Sequence, residues 1–193
     1  MEGYFYGVLD VYYAKITTPA TATAKPVYAE PKVLAKAIET TLTPTYREGK
    51  LYASNATLRN KRKVDTYGVK LNLDKITHEV LKEILNREAD SNGVQIIKGD
   101  GEPADVAIGF AYTLDDGSKE LWWLLQGQFQ EPVKAGKTDG EKIEYQTPNL
   151  EGTFTRRMND GRLAAVVDTT TVDVPQAVIS GWFSAVYESP EGP

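Results

Sequence analysis

Cysteine is absent from the 193-residue chain, and histidine occurs once. Without thiols there is no disulfide framework and no cysteine-ligated zinc, and nothing assigns the chain to an oxidising compartment. A chain of this length buries a sufficient core without such staples, so residues 1–193 are expected to form one domain. Long apolar runs are missing too. Nowhere do about 18 apolar residues stand together, and the opening "MEGYFYGVLDVYYAKI" lacks a basic segment followed by an apolar one. The expectation is synthesis in the cytoplasm, with no export signal and no membrane contact.

The motifs of common chemistries are also missing. There is no G-x-G-x-x-G after a strand and no G-x-x-x-x-G-K-[ST], so the usual phosphate cradles are excluded. No serine stands in G-x-S-x-G, and the lone His78 makes a poor triad member and a weak transition-metal ligand. Asp100, Glu102 and Asp105 in "GDGEPAD" lack the spacing of an EF-hand and its closing glutamate. No spacing nominates a carboxylate pair for glycoside hydrolysis. The sequon Asn55-Ala56-Thr57 acts only in a secreted chain. Accordingly, no catalytic residue, cofactor or metal ligand is expected.

What the chain does have is charge, unevenly spread. The 22 basic and 27 acidic residues leave a net charge of −5, which argues against a surface built to grip nucleic acid throughout. Between Thr43 and Asp65, however, Arg47, Lys50, Arg59, Lys61, Arg62 and Lys63 outweigh Glu48 and Asp65. This segment is polar, long and rich in turn residues, so it reads as an extended basic arm, and a loop of that length usually has a task. The cluster "RNKRK" carries no interleaved aromatics, which points to a solvated run or an acidic partner rather than to single-stranded nucleic acid.

Elsewhere period-2 alternation with β-branched and aromatic residues predicts strands at Tyr4–Ile16, Ala35–Thr43 and Tyr67–Leu73. The Thr/Pro/Ala stretch from Thr17 to Pro26 reads as an exposed loop. After Asp74 the period changes. Ile76, Val80, Leu81, Ile84 and Leu85 form one helical stripe, capped by Asp74 or Thr77 and expected to stop at Asn92-Gly93.

The stretch "YTLDDGSKELWWLLQGQF" reads as a hairpin with a two-residue turn at Asp116-Gly117. That register pairs Tyr112 with Leu121 and Phe110 with Trp123 on one packed face, and Ala111 with Trp122 and Gly109 with Leu124 on the other. A second hairpin is expected around Asp160-Gly161 in "TFTRRMNDGRLAAVVDTT". The closing "VPQAVISGWFSAVYE" fits a helix with Pro175 in its first turn and Val178, Trp182 and Val186 at spacing four, while its Val/Ile content keeps a strand open.

The order of these elements resembles the major tail (tail-tube) proteins of long-tailed phages, the siphophages of Gram-positive hosts. The likeness spans most of the chain. It rests on "YGVLDVYYAKI", "GKLYASN", "YGVKLNLDKITHEVLKEIL", "SNGV", "FAYTLDDGSKELWWLLQGQF", "EGTFTRR", "DGRLAAVVDTT" and "WFSAV" in that order. The resemblance implies a mainly-β, α+β fold: a β-sandwich with a flanking helix and a long extended loop. It implies six copies closing into a ring and rings stacking into a virion tube through which double-stranded DNA passes without specific binding. Implied partners are further copies, a tape-measure protein, a tail terminator and distal tail proteins. Acidic excess suits such a conduit, because a neutral or negative wall does not hold phosphates. The tube of a tail-like bacteriocin would share these properties. A reading from another class is a carbohydrate-binding β-sandwich using Trp122 and Trp123 as a stacking platform.

Overall fold

The computed structural model describes residues 3–53, 56–134, 146–171 and 173–190, with side chains described outside 50–59. Ten strands form one hydrogen-bonded sheet whose spine is the hairpin of β9 (Val106–Leu114) and β10 (Lys119–Phe129). On the outer side of β9 lie β1 (Phe5–Val8) against residues 112–114 and β2 (Val11–Thr18) against residues 106–109. The stretch expected as one strand is therefore two, interrupted at Leu9–Asp10. The short strands β3 (Val27–Tyr28) and β4 (Lys32–Ala35) both pair with β2. A separate two-stranded hairpin is made by β7 (Glu88–Ala89) and β8 (Gln95–Ile96).

On the far side of β10, β12 (Ala164–Asp168) pairs with residues 120–124 and β11 (Asn149–Thr155) with residues 127–129. These two strands do not pair with each other, so the expected second hairpin is a turn between successive partners of one edge. Gly161 takes φ +67° at its tip, as the Asp-Gly signal required. Beyond β11 come β6 (Ala56–Leu73) and finally β5 (Ala37–Ala53). The Tyr112 hydroxyl, on β9, donates to the Thr40 carbonyl of β5 at 3.5 Å although four steps of the strand order separate them. The sheet is thus folded over on itself.

Inside the fold lies the larger core. Val69, Leu71 and Leu73 of β6 alternate with polar residues, as do Leu150 and Phe154 of β11, so one face of each strand is apolar. Each such side chain fully buried contributes about 1.5–3 kcal/mol. The helix α1 (His78–Ile84) covers this core with Leu81, Ile84 and Leu85. Thr77 caps it, its hydroxyl accepting from the Val80 N–H at 3.3 Å. It ends well before Asn92-Gly93, because Asn86 adopts a left-handed φ of 50° and the Arg87 N–H returns to the Lys82 carbonyl at 3.0 Å. Gly93, at φ +83°, instead turns the β7–β8 hairpin.

On the other face of the sheet a smaller core joins Ala107, Ala111, Leu121, Trp123 and Leu125 to the C-terminal segment. The helix α2 (Gln176–Ser180) is only five residues long and has Pro175 as its N-cap. Val178, Trp182 and Val186 nonetheless face the sheet together. Among the described residues no helix is long and apolar enough to cross a membrane.

The β9–β10 turn corrects the expected register by one residue. Leu114 and Ser118 bond across a three-residue loop, and Gly117, at φ +83°, is its third member rather than the second of two. Trp122 therefore opposes Phe110, Trp123 opposes Gly109 and Leu121 opposes Ala111. Phe110 and Tyr112 face the larger core, while Leu121 and Trp123 face the smaller one. Of the two aspartates only Asp116 ties the turn, its carboxylate accepting from the Ser118 N–H at 2.8 Å; the Asp115 carboxylate instead holds the N-terminal segment, accepting from the Tyr4 N–H at 2.9 Å. The Ser118 hydroxyl, donating to Asp116, is the largest cause holding that carboxyl below the usual aspartate range.

Candidate assembly surface

The basic arm is not a loop. β5 and β6 pair along their whole length, and because β11 covers β6 only from Thr66 to Asn72, residues 46–53 and 56–64 pair with nothing but each other among the described residues. Eight residues at a strand's rise carry this ribbon roughly 25 Å beyond the sheet. Its strands escape a period-2 reading because both faces are solvated and no apolar face alternates with a polar one.

Cross-strand pairing sorts the ribbon's charges. Arg47 faces Lys63 and Gly49 faces Lys61, so one face is basic; Glu48 faces Arg62 on the other. On that second face Arg62 Nε lies 2.9 Å from Glu48 Oε1, and its guanidinium sits 4.2 Å over the Tyr46 ring. At the root, between Thr45 and Tyr46, the register shifts and Asp65 is left as the extra residue. Its carboxylate takes Arg47 at 3.1 Å and Arg156 at 3.2 Å. Lys61 and Lys63 are exposed and have no carboxylate partner among the described residues. The backbones of Lys50 and Arg59 lie in the ribbon, but their side chains lie outside the described residues.

Two further features lack cover. Tyr4, just before the edge strand β1, and Phe5 and Tyr6 within it are exposed, Tyr4 by 81%, and β1 lies against β5, whose Ile38, at the end of the strand away from the ribbon, is exposed as well. Among the described residues β5 pairs on one side only, leaving a long free edge broken by Pro44.

The tryptophans do not form a platform. Trp123 is 0% exposed and donates its indole N–H to the Trp182 carbonyl at 2.8 Å. Trp122 stacks on Phe110 at 6.2 Å with its edge toward Tyr67, inside the fold. His78 is exposed at the start of α1.

One polar cluster lay beyond sequence reasoning. Arg157, 2% exposed, bonds Asp160 and Glu188, and its Nη1 donates to the Tyr28 hydroxyl at 3.2 Å. Burial pushes the Tyr28 hydroxyl up to about 12, and that hydroxyl donates to the Leu125 carbonyl at 3.0 Å. Burial opposes ionisation of Asp160 too, yet hydrogen bonds from Arg157 and the Arg162 N–H hold its carboxyl below the usual range. The cluster fastens the C-terminal segment over the smaller core. Its members lie as far apart as Tyr28 and Glu188, so no local pattern announces it.

The chain matches no protein-family profile, and no curated protein sequence matches it.

Proposed function

We infer that the chain is a structural, non-catalytic subunit that assembles with itself into the tube of a phage tail. The observation that carries this reading is the ribbon. An isolated two-stranded hairpin is marginally stable in water, and this one extends past the sheet with no apolar face to bury. Its exposed ion pairs contribute about 0–1 kcal/mol each, too little to hold it straight. A neighbouring copy would supply the missing contacts. The exposed aromatics of β1 and the free edge of β5 ask for the same cover.

In this reading copies close into hexameric rings, rings stack in the virion tail, and DNA passes through a lumen without specific binding; a tape-measure protein, a terminator and distal tail proteins bound the tube. Sedimentation velocity tests it. The wild-type chain should form assemblies far larger than a monomer as concentration rises. A variant in which an Asn-Gly turn replaces residues 47–63 should keep its circular dichroism and stay monomeric. Wild-type chain that sediments as a monomer at every concentration overturns the reading.

A further inference from the structure

The C-terminal segment lies on the sheet without joining it. Among the described residues no backbone–backbone hydrogen bond links residues 175–190 to the rest of the chain; those they make are internal, such as the Gly181 N–H to the Ala177 carbonyl at 3.0 Å. Side chains hold the segment instead. Trp182 and Val186 are buried on the smaller core, Phe183 stacks on Tyr12 at 4.5 Å, and the Trp182 carbonyl accepts the Trp123 indole N–H at 2.8 Å. The packing is incomplete. Leu9, Tyr12, Leu121, Ile179 and Phe183 line a cleft of about 450 Å³ between segment and sheet, and α2 has no side-chain cap and no fully buried residue of its own. Trp182 Nε1 is buried with no hydrogen-bond partner among the described residues, a cost that departure of the segment removes.

One ion pair ties down the far end. Glu188 takes the Arg157 guanidinium, with Nη2 at 3.3 Å, and Lys25 Nζ lies 3.8 Å from the same carboxylate. The two sides of this contact are unequal. Arg157 is buried but also holds Asp160, whose carboxylate accepts from Nε at 3.2 Å, and the Tyr28 hydroxyl, so it does not become an unpaired buried charge when Glu188 leaves. Glu188 is already 29% exposed and passes into water. We propose that residues 175–188 form a latched strap that swings off the sheet as a unit while the larger core stays folded, with Glu188 on Arg157 as its latch. The strap belongs to one copy and does not depend on the tube reading. Closed, it keeps the apolar face made by Ala111, Leu121 and Trp123 from water, and the latch sets how often that face is bared.

Thiol labelling tests this, because the chain has no cysteine of its own. Ala111→Cys puts a thiol beneath the strap and Val69→Cys puts one in the larger core, both at buried positions. Each variant should keep the wild-type circular dichroism; if Ala111→Cys loses it, Ala14→Cys replaces it in the same smaller core. With N-ethylmaleimide at one protein concentration, Ala111→Cys should react at least about tenfold faster than Val69→Cys, since the strap opens more often than the whole chain unfolds. Adding Glu188→Ala should speed Ala111→Cys by about tenfold, equivalent to about 1.4 kcal/mol, and leave Val69→Cys unchanged. Equal rates at the two positions would mean that the strap leaves only when the whole chain unfolds, and would overturn the proposal. So would a Glu188→Ala substitution that speeds both thiols alike, or neither.

Discussion

The corrected register makes one energetic claim that a double-mutant cycle can measure. A Cβ built on Gly109 would sit 2.9 Å from Cε2 and Cζ2 of Trp123 and 3.0 Å from its Cδ2. The indole cannot retreat freely, because its N–H is bonded to the Trp182 carbonyl and Phe183 lies 6.0 Å away, centroid to centroid. Gly109→Ala should therefore cost about 1–3 kcal/mol through overpacking, offset by about 0.4–1 kcal/mol from the stiffer unfolded chain. Trp123→Ala should cost about 3–5 kcal/mol. With the indole gone, the new methyl has room and fills part of the void, so Gly109→Ala in that background should be neutral or stabilising. A coupling of about 1–3 kcal/mol follows. Urea unfolding followed by circular dichroism gives the four stabilities, and constant slopes confirm that the unfolded state is unchanged. Additivity within about 0.5 kcal/mol would mean that Gly109 does not face Trp123.

Other consequences are simpler to test. Gly117→Val places a β-branched residue at φ +83° and should lower stability by about 1–3 kcal/mol; an unchanged thermal midpoint would contradict the three-residue turn. Arg157→Met leaves Asp160 buried with only the longer Arg162 contact, at 3.6 Å, and should cost about 3–5 kcal/mol. Asp160 also sets an acid limit. Its folded pKa lies below the ordinary value of 3.8, so its contribution is present above that value and is lost as pH falls below 3.8 through the folded pKa. Asp160→Asn should flatten stability against pH in that window, and a variant as acid-sensitive as the wild type would refute the assignment.

Much of the fold was legible where one face of an element is apolar and the other polar. Val69, Leu71 and Leu73 marked the core end of β6, the stripe from Ile76 to Leu85 marked α1, and of the two candidate caps, Asp74 and Thr77, Thr77 makes it. The β9–β10 hairpin was legible too, but its partners and the faces of β10 were not, because Asp-Gly signals a positive φ without saying whether the loop holds two residues or three, and one residue of slip exchanges the faces. The ribbon was read as a loop because Thr, Tyr and Val alternate there with charges on two wet faces. The β11–β12 hairpin failed for another reason: a turn signal fixes a reversal of the chain, not which strand the two arms then pair with. The Arg157 cluster joins residues 129 positions apart, which no local pattern encodes.

The central claim is that this chain is built to meet copies of itself. Electron microscopy of the purified wild-type chain, concentrated at low salt, tests it most directly. Rings or hollow tubes of uniform bore are the predicted result, and dispersed single subunits at every concentration would contradict it.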